Sequence, residues 1–194
     1  MWWTLPLKGE IQMLVTNLFG GPGIGKSTLA AGIFSLLKLH GVNAELVTEF
    51  AKDLTWEERH KTLTNQYYVW GKQYHRMWRL RDDVDIIVTD SPLLLSLIYG
   101  ETCPPFHQTV IETYHSTFKN LNYFLRRIKP YNPKGRNQDL EEAKNIDINI
   151  KNMLIKHNID FKTVPGDTSG INSIVKDVLD VLQIESKYNL KGEK

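Results

Sequence analysis

Residues 20 to 27 read Gly-Gly-Pro-Gly-Ile-Gly-Lys-Ser and fit the pattern G-x-x-x-x-G-K-[ST], set between a strand-like apolar run, Met13 to Phe19, and a helical one. That setting gives the pattern a mechanism. Glycines allow backbone angles at which successive N–H groups converge on an anion, and the following helix aims the positive end of its dipole at the same point. Gly20, Gly21, Gly23, Ile24, Gly25, Lys26, Ser27 and Thr28 are therefore expected to hold a nucleoside triphosphate, with ATP as donor. Lys26 reaches its β- and γ-phosphates, and the Ser27 hydroxyl takes one position on Mg²⁺.

At 194 residues the chain is expected to be one domain with a real core. A net charge of +2 announces neither a nucleic acid nor a membrane partner. With Cys103 as the only cysteine, a disulfide framework and a cysteine zinc site within one chain are excluded, and a reducing cytoplasmic setting is the expectation. The opening MWWTLPLKGE reads as neither a signal peptide nor an anchor, and residues 187–194 read as a solvated tail.

Strand-like and helical patterns alternate after the first strand, which predicts an α/β fold with a parallel sheet and crossover helices. A helix is expected from Lys26 to His40, a second strand over Ala44 to Thr48, and two helical pieces between 53 and 81. The third strand is Asp85 to Asp90. A helix over Leu93 to Tyr99 follows, then another from Thr109 to Asn120. Asn122 to Leu125 reads as strand four, Asp139 to His157 as a helix, Ile159 to Val164 as strand five and Ile171 to Leu182 as the closing helix.

Carboxyl ends of strands in such sheets face the ligand crevice, and three of them carry chemistry. Glu49 follows the second strand. Asp90 ends the third, where it can hold Mg²⁺ directly or through water. After the fourth comes a basic, Pro- and Gly-containing segment, 126–138, which reads as a lid that closes over phosphates and supplies charge through Arg126, Arg127 or Arg136. Tyr67, Trp70, Tyr74 and Trp78 fall at helical spacing and read first as a stripe packed on the sheet. Some of them could instead line a pocket for a flat ring, with Gln66 and Gln73 offering donor and acceptor to a base edge. Ser91 stands where ATPases typically place a water-activating Glu, and no guanine-reading N-K-x-D element occurs.

GGPGIGKST, LVTEFA, NQYYVWGKQYHRMWRL, TDSP and KGRNQDLEEA together resemble the P-loop kinases of the nucleoside and nucleotide kinase group, including small phage-encoded members, over about residues 11 to 183. The resemblance implies the three-layer α/β P-loop NTPase fold, a five-stranded parallel sheet of order 2-3-1-4-5 flanked by helices, and Glu49 as the base that takes the acceptor's proton. It implies Gln66 as a contact to the base of the substrate, beside Tyr67 and Trp70. One departure stands out: deoxynucleoside kinases usually carry an Arg between the acid and the Ser of the third-strand motif, and here Asp90 meets Ser91 directly. Asp90 therefore competes with Glu49 for the base role. Three functions stay open: a kinase for a free nucleoside, nucleotide or related metabolite; a kinase for a hydroxyl within DNA, such as a strand end or 5-hydroxymethyluracil; and a non-kinase P-loop ATPase or nucleotide-binding module.

Overall fold

Every residue of the first strand, β1 (Leu14–Phe19), is buried, as a central strand covered on both faces requires. The computed structural model describes residues 13–99, 103–128, 130–132 and 138–185. Around β1 the parallel strands β2 (Ala44–Val47), β3 (Ile86–Thr89), β4 (Lys119–Arg126) and β5 (Lys162–Pro165) take the order β2-β3-β1-β4-β5. This is the order that the resemblance to P-loop kinases implied. Strand β1 pairs with β3 from Leu14↔Ile86 to Asn17↔Thr89 and with β4 from Leu14↔Lys119 to Phe19↔Phe124.

The period of two along β1 divides the core. Leu14 and Leu18 face α1 (Lys26–Leu39) and the last helix, α7 (Thr168–Leu182), in a cluster with Ile33, Leu37, Ile174 and Val178. Met13, Val15 and Phe19 face the other side. There they meet α4 (Gln66–Trp78), α5 (Pro104–Thr117) and α6 (Leu140–Lys156) through residues such as Met77, Val110 and Ile150. Helices thus cover both faces, and the strand tips are left to form the site.

Several boundaries moved for identifiable reasons. Residues 50–78 form three helices, α2 (Phe50–Trp56), α3 (His60–Leu63) and α4, because Glu58 turns left-handed at φ 55° and the Asn65 side chain accepts from Tyr68 N to start α4. Leu93–Leu97 forms a 3-10 turn instead of an α-helix. Helix α5 begins at Pro104, earlier than expected, since proline is tolerated in a first turn. Strand β4 runs longer than its apolar centre because six of its residues pair with β1. Helix α6 opens with a reciprocal box in which Asp139 accepts from Glu142 N and Glu142 accepts from Asp139 N. Among the described residues no helix is long and apolar enough to cross a membrane.

Candidate active site

The glycine-rich turn leaves β1 at Phe19 and enters α1 through Gly25, whose φ of 110° a side chain would resist. Gly21 is needed for a different reason. A Cβ there would lie 2.6 Å from the Ala143 carbonyl oxygen and 2.8 Å from Asp147 Oδ1, so α6 closes against the loop only over a glycine. Lys26 Nζ folds back to donate to Gly20 O at 2.6 Å and Gly21 O at 3.2 Å. Burial lowers its pKa, against Glu49, Asp90 and Asp147, which favour its charge.

Glu49 stands just past β2 as the residue before α2, and Asp90 just past β3. Burial raises the Glu49 pKa; Lys26 works against that rise and Asp90 adds to it. The two acids and Lys26 therefore share one electrostatic neighbourhood. Asp90 is buried, and its Oδ1 has no hydrogen-bond partner. A carboxylate oxygen left in that state inside a fold is an opening for a ligand or ion.

A cavity of about 880 Å³ begins at Gly23, Gly25, Lys26, Ser27 and Thr28, passes Glu49, and continues between α2, α4 and the 3-10 turn. Its volume falls in the range of small-molecule sites. On the α4 side it is walled by Gln66, Trp70 and Gln73, which share one helix face. Gln73 Oε1 accepts from Phe50 N at 2.9 Å, while Gln73 Nε2 and Trp70 Nε1 are buried donors without partners. Gln66 Nε2 donates to Leu63 O at 3.0 Å, which leaves its carbonyl oxygen for other contacts.

Other expected residues lie elsewhere. Tyr67 does not line this cavity; it is half exposed, its hydroxyl is 2.8 Å from Cys103 Sγ, and its ring lies against Phe106 at 4.5 Å between centroids. Half of the aromatic stripe packs as expected: Trp70 stacks on Tyr74, and these meet Phe106 and Phe118. The buried positions of α4 are nevertheless Gln66, Gln73 and Met77. Arg126 is exposed at the end of β4, near enough to Asp167 to favour its ionised form. Arg127 is engaged by Asp147, with Nε and Nη2 on Oδ2 at 3.1 and 2.9 Å, and its Nη1 donates to Pro22 O at 2.9 Å. Arg136, with the rest of 133–137 and position 129 of the lid-like segment, and the tail lie outside the described residues.

Asp147 and Tyr99 were missed. Asp147 sits mid-helix, 126 positions from the Gly21 N–H that it accepts at 2.5 Å, so nothing local marks it. Tyr99 lines the cavity, and burial, reinforced by Glu49 and Asp147, raises its pKa well above the ordinary phenol value, which keeps it a donor.

With that geometry in hand, a family model described as AAA domain matches residues 15–170. No curated protein matches. Two solved structures are similar: deoxyadenosine kinase from M. mycoides with bound dATP, at 16% identity over 87% of this chain and 99% of that one, TM-score 0.49; and the same kinase with products dCMP and a flexible dCDP bound, at 15% identity over 87% and 98%, TM-score 0.49.

Proposed function

The chain belongs to the AAA domain family, and on that premise we propose that it is an ATP- and Mg²⁺-dependent kinase for a hydroxyl of a nucleoside, nucleotide or related metabolite. The observation that carries the reading is the single cavity joining Lys26 and Ser27 to Glu49 and then to a wall of Gln66, Trp70 and Gln73. A hydrolase needs room for a water. This cavity has room for an acceptor, and Ser91 offers no second acid beside Asp90 to activate water.

In this reading the loop amides hold the donor's phosphates and Lys26 leaves its two carbonyls for the transferred group, where negative charge grows. Glu49, whose pKa burial raises, accepts the proton of the acceptor hydroxyl. The acceptor oxygen bonds to the γ-phosphorus, the bond from that phosphorus to the bridging oxygen breaks, and ADP leaves with the electron pair. Ser27 and the unpartnered Asp90 Oδ1 fit Mg²⁺, which takes few protein oxygens and completes its shell with phosphates and water. When bound there, that ion neutralises phosphate charge. Gln66 and Gln73 orient the acceptor.

One feature favours a second acceptor class. Trp56 lines the cavity and is 72% exposed, a flat surface on which a base flanking the target could stack, so a hydroxyl within DNA is the alternative. Incubation with γ-labelled ATP and separate pools of nucleosides, nucleotides and DNA decides among them. Label in the small-molecule pools is the expected outcome; label confined to DNA favours the alternative, and free phosphate alone overturns the kinase reading.

A further inference from the structure

A partly buried ion pair beside the phosphate loop does more than join two elements. Asp147 of α6 and Arg127 at the end of β4 are only 17% and 13% exposed, and they bond each other as well as the loop backbone. Asp147 Oδ1 accepts from Gly21 N at 2.5 Å, and Arg127 Nη1 donates to Pro22 O at 2.9 Å.

The consequence follows from peptide planarity. In a trans peptide the C=O and N–H point in opposite directions, and the chain has no cis peptide among the described residues. In the peptide joining Gly20 to Gly21 the N–H goes to Asp147, and the carbonyl is turned to Lys26 Nζ at 2.6 Å. In the peptide joining Pro22 to Gly23, both of which line the cavity, the carbonyl goes to Arg127, and the Gly23 N–H is turned the other way, away from that guanidinium. One ion pair thus sets two peptide planes of the loop. The close approach of Gly21 to Ala143 O and Asp147 Oδ1 leaves these planes little room to swing. Lys26 also feels both partners, Asp147 favouring its charge and Arg127 opposing it, so the pair sets the loop's shape while their opposing charges partly offset at Lys26.

We propose that Asp147 and Arg127 are positioning residues of the phosphate site: together they hold the Gly20–Gly21 and Pro22–Gly23 peptides so that Lys26 is seated and the Gly23 N–H faces the polyphosphate. The proposal rests on reading the loop as a triphosphate site, and binding measurements separate the two. Wild type, D147N and R127K are titrated by calorimetry with MgATP and with inorganic tripolyphosphate, and melting temperatures are recorded beside the affinities. Wild-type protein binds both probes. R127K keeps a cation beside Asp147 but loses the fork that reaches Asp147 and Pro22 O at once, so it melts near wild type and binds both probes about 10- to 100-fold more weakly, the worth of a charge-assisted hydrogen bond. D147N shows at least that loss.

The exchanged pair D147R/R127D tests the geometry itself. It restores an ion pair and much of the melting temperature, but an arginine at 147 cannot accept the Gly21 N–H, so affinity stays low. Wild-type affinity in R127K, or affinity that returns in the exchanged pair together with the melting temperature, overturns the proposal. If wild-type protein binds neither probe, the phosphate-loop reading itself fails, and this one with it.

Discussion

Two polar clusters lie within the fold and end differently. Beneath α5, Asn17 Nδ2 donates to Asn120 Oδ1 at 2.8 Å and Asn122 Oδ1 at 3.1 Å, Tyr114 OH donates to Asn122 Oδ1 at 2.9 Å, and the Asn120 and Asn122 amides donate to backbone carbonyls. No buried side-chain nitrogen or oxygen of these four lacks a partner. At the strand tips, Asp90 Oδ1, Gln73 Nε2 and Trp70 Nε1 are buried and unpaired, beside a Lys26 and a Glu49 whose charges burial opposes. A closed network specifies one packing. An open one spends stability on groups left for something else to satisfy. The same sheet carries both, and only the open cluster borders the 880 Å³ cavity.

The sharpest break in this contrast is Lys26→Ala, which removes the cation from the open cluster. Transfer is expected to fall at least about 10³-fold, through lost stabilisation of the moving phosphoryl group, in a single-turnover assay. Retained transfer would show that the loop does not act in catalysis. Glu49→Gln comes next: triphosphate binding stays intact and transfer slows by about 10²- to 10⁴-fold. If Asp90→Asn alone gives that pattern, the base is Asp90. The raised Glu49 pKa also predicts an acid limb in wild-type activity above the ordinary carboxylate range, absent in the Gln variant. The stability effect has the opposite sign. A carboxyl harder to ionise in the folded state costs stability as pH rises from its ordinary 4.5 through its raised value, so Glu49→Gln melts higher than wild type at neutral pH and the gap closes below about 4.5.

Much of the open cluster was legible because strand tips are legible. A strand ending in an acid announces itself, and the glycine pattern before Lys26 places the first crossover, while the sheet order came from the family resemblance that this pattern carries. The α4 wall was harder to read. Apolar periodicity singles out Tyr67, Trp70, Tyr74 and Trp78, but a helix that faces a polar cavity buries Gln66 and Gln73, and Tyr67 falls on the outer flank. Hydrophobicity marks what packs on a core, not what lines a polar cleft. Asp147 was out of reach for another reason: it touches Gly21 across 126 positions from the middle of a helix, and its pattern is that of any solvated acid.

The closed cluster predicts a change in stability without a change in chemistry. Asn122→Ala removes the oxygen that accepts from Asn17 and Tyr114; Asn17 keeps Asn120 Oδ1, but the Tyr114 hydroxyl is left without its acceptor, which costs about 1–3 kcal/mol. Chemical denaturation should show the midpoint fall while the rate of transfer stays unchanged. An unchanged midpoint would mean that this network contributes no more than water would.

The smallest expected effect separates two uses of one side chain. Gln73 anchors α2 through Phe50 N, next to Glu49, and presents Nε2 as a free donor. Gln73→Glu keeps an oxygen for Phe50 N and replaces the donor with an acceptor. If the residue reads the acceptor molecule, its KM rises about 10-fold, the size of one lost hydrogen bond, with the KM for ATP unchanged. If it only anchors α2, the variant behaves as wild type toward both substrates. A lowered kcat with both KM values unchanged would point instead to the added charge acting on Glu49, and would place Gln73 among the groups that set the base rather than those that meet the substrate.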